Sequence, residues 1–463
     1  MKTPTRCQLP SQTRSEDDVR HCFLALLQTT PTKEEGPHPR TVGNTKTKAA
    51  LLGPLKLRPR PPTERRPKNG TRNPEASFST EPREYEVETL GAQKERRPAH
   101  PTGLEIEERF KTRSAVLRNT CKTYRNSTMF RRVRKSAVRL LPVWPVHNAS
   151  LRYCPIEKTG STTWTALLRT VWKEMKLKAS RNRTPKRKKA SYARALAANE
   201  TSFVFVREPY TRLLSAYVDK LFCPNTMFWH GVGKYIVKTF RENPSKSSLR
   251  CGHDVTFEEF ISYVIDSQET GVHRDGHFVP IHDHCNFCNV SYDYIGHLET
   301  ISEDMPYLLN VIQSPVNYSS NFEIQTLKSS VHWVLKSMKL KIVDCMPLEE
   351  AGRRLWKKLT IRGVIPKSQP FPFSSKEAGK VTEEEFLEAG LAAIARSGSW
   401  QTKRMQETEA LREAFSTIPM QQRLKLKETL FLDFKLFGFD PEPETVFPKT
   451  PFVKQRGFSY FEL

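Results

Sequence analysis

Cys154-Pro-Ile-Glu-Lys-Thr-Gly-Ser-Thr-Thr-Trp164 reads as a strand end, a tight loop and a helix start. Gly160 permits close backbone approach to a ligand. The hydroxyls of Ser161, Thr162 and Thr163 and the free N–H groups of the first helical turn can converge on one anion, to which Lys158 adds a positive charge. The loop is therefore a candidate phosphate cradle. It is not a Walker A loop, because its lysine precedes the glycine and the upstream glycine is missing. Taken alone, it reads equally well as a strand followed by a Ser/Thr-capped helix.

A second stretch, Phe203-Val-Phe-Val-Arg-Glu-Pro-Tyr-Thr-Arg-Leu-Leu-Ser-Ala-Tyr217, repeats the strand-to-helix plan. It sets Arg207 at the strand end, where a guanidinium can grip a phosphate in bidentate fashion, and Ser215 two turns into the helix. Arg212 is a further candidate. The plainer alternative pairs Arg207 with Glu208 and puts Ser215 in a helix interface. Two anion-binding turns suggest a ligand with two phosphate-like ends.

Working outward, the folded region is expected to begin near Pro142, with a strand over Asn148 to Ile156 and a helix from Thr162 to Lys176. An exposed basic insert follows over Arg181 to Lys189, then a short helix around Tyr192 to Ala198 and a strand from Ser202 to Val206. Strand, helix, insert, helix and strand favour an α/β class with a central parallel sheet flanked by helices. Thr256 is expected to cap a helix, Tyr292 to Gly296 to form a strand, and Ser302 to Ile312 and Thr382 to Ala395 to be helical. One last helix is expected over Leu424 to Phe437, closed by Gly438.

Residues 1–110, rich in Pro, Arg, Lys, Thr and Glu, read as a disordered stem. Residues 111–141 read as a helical lead-in on the surface, 142–445 as the domain and 446–463 as a tail. The chain of 463 residues carries 75 Lys and Arg against 50 Asp and Glu, a net charge of +25 that draws polyanions. No apolar run is long enough to cross a membrane, and Cys22 to Leu27 falls short of a signal-peptide core. Nine cysteines and sequons at Asn69, Asn126, Asn148, Asn182, Asn199, Asn289 and Asn317 favour the secretory pathway. His282, His284, Cys285 and Cys288 are ligand types zinc accepts, but they are crowded into one short segment, which favours disulfides over a metal.

CPIEKTGSTTW, FVFVREPYTRLLSAY, HFVPIHDHCNFC, YDYIGHLET and FLDFKLFGF, in this order, resemble the Golgi carbohydrate sulfotransferases of sulfotransferase family 2, which modify chondroitin, dermatan, GalNAc and the HNK-1 epitope. The resemblance runs over about residues 145 to 440. It implies a P-loop-like sulfotransferase fold and transfer of sulfonate from 3′-phosphoadenosine 5′-phosphosulfate to a glycan hydroxyl, without a metal. Lys158, Thr159, Gly160, Ser161, Thr162, Thr163 and Trp164 would then hold the 5′-phosphosulfate, and Arg207, Arg212 and Ser215 the 3′-phosphate. Lys158 would stabilise the leaving group and His277 would act as base, with His253, His297 and Glu299 as weaker candidates.

The resemblance further implies a lumenal Golgi membrane glycoprotein of type II, with an anchor not evident in this sequence, a glycan or glycosaminoglycan acceptor and no nucleic-acid partner. Two departures are Glu157, where members commonly carry proline, and Phe278, where many carry tryptophan. Glu157 motivates a competing reading as a catalytically weakened glycan-binding relative. The net charge motivates a second, a basic nucleic-acid-binding protein, although no zinc finger, homeodomain or RRM signature accompanies it. A P-loop kinase is disfavoured by the absent Walker A pattern.

Overall fold

The computed structural model describes residues 101–124, 144–146, 149–181, 200–314, 316, 322–339, 344–396, 400–453 and 457–463. These fall in the second of two units, Met1–Ala92 and Gln93–Leu463. Four strands, β1 (Trp144–Val146), β2 (Ala149–Cys154), β3 (Glu200–Val206) and β4 (Tyr294–His297), form one sheet in the order β1-β2-β3-β4. β2, β3 and β4 are parallel, as the alternation of strands and helices predicts, and β1 adds an antiparallel edge.

The described helices used below are α1 (Gly103–Tyr124), α2 (Ser161–Arg181), α3 (Pro209–Tyr217), α4 (Phe257–Thr270), α5 (Ile301–Val311), α6 (Phe322–Lys339), α7 (Leu348–Ile361), α8 (Glu383–Ala395), α9 (Trp400–Ser416), α10 (Met420–Thr429) and α11 (Phe431–Phe437), of which α1 and α11 pack on one face of the sheet and α1, α2 and α5 on the other. The central strand β3 is apolar on both faces, as a covered parallel strand should be. Val204 and Val206 pack with Ile156, Ile295, Leu432 and Leu436 on one face, and Phe203 and Phe205 with Tyr153, Trp164, Leu168 and Met305 on the other.

Three boundaries differ from the sequence reading. Ile106, Phe110 and Leu117 are buried on α1, and Arg109 and Arg113 of the same helix meet the buried Asp304 of α5 at 3.1 and 2.7 Å. Among the described residues, ordered structure thus includes Gly103 to Phe110, inside the span read as stem, and α1 is a core helix rather than a surface lead-in. The helix expected over Leu424 to Phe437 is two helices, because the backbone breaks at Leu430 (φ −95°, ψ 5°). The segment taken as a tail packs on the domain: Val446 and Tyr460 are buried, and the Tyr460 N–H and hydroxyl donate to Glu413 at 3.0 Å and Glu409 at 2.7 Å. The basic insert beyond Arg181 and the helix anticipated around Tyr192 to Ala198 lie outside the described residues.

Disulfides join Cys121 to Cys288, Cys154 to Cys285 and Cys251 to Cys345 across 167, 131 and 94 residues. Loops this long place each crosslink, in the chain-entropy account, at the order of 4 kcal/mol. The first two consume Cys285 and Cys288, so the His-Cys segment is a covalent staple and not a zinc site. Gly296 of β4 faces Phe205 of β3, and a Cβ there would stand 2.4 Å from the Phe205 ring. Gly296→Ala is therefore expected to destabilise the fold by about 1–3 kcal/mol through overpacking, read as a lowered midpoint in thermal or urea unfolding.

Candidate functional site

The Lys158 loop leaves β2 and turns through two left-handed residues, Lys158 (φ 71°) and Gly160 (φ 81°). A non-glycine residue in that region costs about 1–2 kcal/mol, and here the turn directs the lysine inward. The Trp164 N–H donates to the Gly160 carbonyl at 3.1 Å, opening α2. The N–H groups of Ser161, Thr162 and Thr163 thus precede the first intrahelical bond and stand free for an anion. Ser161 and Thr163 are half-buried and Thr162 is exposed.

Lys158 Nζ lies 2.9 Å from Asp219 Oδ2. Asp219 belongs to the π-helical turn Val218–Phe222 that extends α3, and its carboxylate gathers three more cations: Lys358 at 2.7 Å, Lys220 at 3.6 Å and Arg362 at 3.7 Å. Burial alone would raise the Asp219 carboxyl, but the cations hold it well below the usual carboxylate range. Burial presses the Lys158 ammonium down in turn, with Asp219 opposing and Arg362 and Lys220 adding to the depression.

Arg207 stands half-buried at the end of β3. Burial lowers its guanidinium against the pull of Glu407 on α9 and of Glu299, with Arg362 also lowering it. Glu208 does not serve as its dedicated partner: its oxygens accept from the Tyr210 and Thr211 N–H groups at 3.0 and 2.7 Å, capping α3, and burial raises its carboxyl to about 7. Ser215 lies half-buried on α3.

His277 is held by a carboxylate. Asp275 Oδ1 accepts the His277 N–H at 2.8 Å and contacts Nδ1 at 2.8 Å, while Phe228 sits edge-on to the imidazole at 5.0 Å. Burial would raise Asp275, yet its hydrogen bonds from His277 lower it. The other candidates are differently placed. Burial pushes His297 down to about 3 beneath Phe439, burial also lowers His253, which lies beside Trp229, and Glu299 accepts the Glu208 N–H at 2.9 Å.

Lys220 connects the two halves. Its ammonium, 3.6 Å from Asp219, stands 4.8 Å above the Phe228 ring that touches His277. Lys158, Asp219, Lys220, Phe228, His277 and Asp275 therefore form one contiguous line.

Three residues expected to touch a ligand are used otherwise. Trp164 is fully buried between Phe203 and Phe205, at 4.8 and 4.9 Å. Thr159 is fully buried, and its hydroxyl donates to the Ile156 carbonyl at 2.9 Å. Arg212, 1 % exposed, donates from Nε to the Glu157 carbonyl at 3.0 Å, from Nη1 to Val279 at 2.7 Å and from Nη2 to Gly276 at 3.3 Å. It is a strut between the Lys158 loop and the His277 loop, which the Cys154–Cys285 disulfide also joins.

His282 is structural as well, with Nδ1 2.6 Å from Asp433 of α11; burial opposes its charged form, but Asp433 prevails and raises it. Glu157 turns its carboxylate toward His284, 3.7 Å away, and Gly276, beside a cavity of about 190 Å³ lined also by Arg274, Asp275 and Asp283.

Sequence reasoning missed Asp219, Lys220, Lys358, Arg362 and Glu407. Asp219 and Lys220 directly follow the second motif and could have been weighed with it. Lys358 and Arg362 share a helical face at i,i+4 spacing, but nothing local ties them to Asp219, 139 residues before Lys358. Arg212→Ala is expected to cost ~3 kcal/mol or more by leaving three carbonyls without their buried donor, measured as a shift in the urea midpoint at unchanged slope.

Residues 143–333 match the family model described as "Sulfotransferase family". Carbohydrate sulfotransferase 8 of Mus musculus is 30% identical over 223 residues, 44% of this chain and 51% of the relative. Carbohydrate sulfotransferase 9 of Homo sapiens is 40% identical over 115 residues, 25% of this chain and 26% of the relative. Carbohydrate sulfotransferase 11 of Rattus norvegicus is 39% identical over 111 residues, 24% and 32% of the two chains. The chain spans about half the length of the first of these relatives and less of the others. No solved structure gives a significant match. The matched span 143–333 holds the Lys158 loop, Arg207 and the His277 loop, so the residues that build this site are the ones that resemble the sulfotransferase family.

Proposed function

We propose that the protein is a carbohydrate sulfotransferase that moves sulfonate from 3′-phosphoadenosine 5′-phosphosulfate to a hydroxyl of a chondroitin, dermatan or GalNAc-type glycan. The observation that carries this reading is the gathering of four cations on the single carboxylate of Asp219, beside the free N–H groups that open α2. That excess of positive charge, half-buried at Lys158, Lys220 and Arg362, suits an anionic donor. Its continuity with His277 through Lys220 and Phe228 sets an anion-stabilising group and a base along one line.

Ser161, Thr162 and Thr163 would hold the 5′-phosphate, and Arg207 with Ser215 the 3′-phosphate. Gly160 keeps the backbone open to the ligand, while Thr159, Trp164 and Arg212 support the loops from behind. The acceptor oxygen forms its bond to sulfur as the bond from sulfur to the bridging phosphate oxygen breaks, with the electron pair leaving on the nucleotide. Lys158 would stabilise that departing oxygen. Asp275 fixes the His277 ring through Nδ1, which leaves Nε2 to take the acceptor proton.

The Glu157 carboxylate faces His284 rather than the Asp219 cluster, which weakens the case for a catalytically disabled relative. Three disulfides fit an oxidising compartment such as the Golgi lumen. No helix among the described residues is long and apolar enough to cross a membrane.

The test is transfer of labelled sulfate to a panel of desulfated chondroitin, dermatan and GalNAc-terminated glycans. Wild type should label at least one acceptor. Lys158→Ala and His277→Ala should each lower kcat by about 10²-fold or more, while Arg207→Ala should chiefly raise the donor KM. A wild-type protein that labels none and fails to bind the 3′,5′-bisphosphate product would overturn the reading.

A further inference from the structure

We propose that Arg362, at the exit of α7, is a third anchor of the anionic ligand, spanning the gap between the Lys158 loop and the Arg207 strand end. This rests on the donor reading above, and it places part of the binding site outside the matched span 143–333. The four cations at Asp219 are not equivalent. Lys158 and Lys358 hydrogen-bond its two oxygens at 2.9 and 2.7 Å, which fixes both ammoniums against the carboxylate. Lys220 is turned to the Phe228 ring. Arg362, at 3.7 Å, is beyond hydrogen-bond distance from Asp219. Among the described residues its guanidinium donates no hydrogen bond, and its side chain, 25 % exposed, is the most open of the four.

The position of Arg362 is fixed by its backbone. Its N–H donates to Lys358 at 3.1 Å, Gly363 turns the chain with φ 61°, and the Val364 N–H returns to Leu359 at 2.9 Å. The buried Gln406 amide of α9 then donates to the Thr360 and Ile365 carbonyls at 3.1 and 3.0 Å, clamping the α7 exit to α9. Glu407, the next residue on α9, is the principal attractive charge on Arg207. Arg362 thus acts on both candidate loops: it stands by the carboxylate that binds Lys158, and its charge also reaches Arg207 and Glu407.

A guanidinium with unspent donors, held by a rigid helix exit between two candidate phosphate sites, is suited to bidentate capture of a phosphate-type group. The ligand class is a nucleotide bearing two separate phosphate-like groups.

Calorimetric titration of the full chain with adenosine 3′,5′-bisphosphate tests this. Arg362→Gln should weaken binding at least tenfold, with a thermal midpoint close to wild type, and Arg362→Lys should recover part of the loss. Wild-type affinity in Arg362→Gln would overturn the Arg362 assignment while leaving the donor reading standing. A loss in Arg362→Gln matched by a large fall in its thermal midpoint, with no recovery in Arg362→Lys, would also overturn it. A wild-type protein that does not bind the bisphosphate would overturn both.

Discussion

The carboxylate of Asp219 is the point on which the site depends. One half-buried negative charge sits among Lys158, Lys220, Lys358 and Arg362, drawn from the loop after β2, the turn after α3 and the end of α7. Without it, four cations would repel one another in a setting that water screens poorly. With it, Lys158 has a fixed partner that justifies its left-handed backbone, and the cluster keeps a positive excess for a ligand.

That cluster is useful only if the loops around it keep their places. Arg212 bonds the Lys158 loop to the His277 loop through three carbonyls, and the Cys154–Cys285 disulfide repeats the connection covalently. Asp433 of α11 accepts the N–H groups of Ile281 and His282 at 2.7 and 2.8 Å and so anchors the far end of the His277 loop. These supports are buried and use geometry that a substitution could not easily reproduce. A charged strut and a crosslink together hold the His277 loop against the Lys158 loop.

Much of this was legible in the sequence where the signal is local. The turn-forming run from Lys158 to Thr163, Arg207 after an apolar strand, and the Thr256 helix cap all follow from neighbours along the chain. What was misread depended on facing. Trp164 and Arg212 lie inside motifs that suggest ligand contact, but helix periodicity turns one onto Phe203 and Phe205 and the other onto three carbonyls. The break at Leu430 is hidden by apolar spacing that continues across it, whereas Asp433 beyond it is committed to the distant His282 loop. Lys358 and Arg362 were invisible because their relation to Asp219 exists only after α7 folds back.

The resulting account is of an α/β domain in which two strand-to-helix loops are tuned by one acidic hub and joined to a carboxylate-held histidine. The crystal structure of the protein with adenosine 3′,5′-bisphosphate tests it most directly. The 5′-phosphate should lie within hydrogen-bond distance of Lys158 Nζ and the N–H groups opening α2, with the 3′-phosphate on Arg207. A nucleotide bound elsewhere, with the Lys158 loop and Arg207 both untouched, would contradict the account.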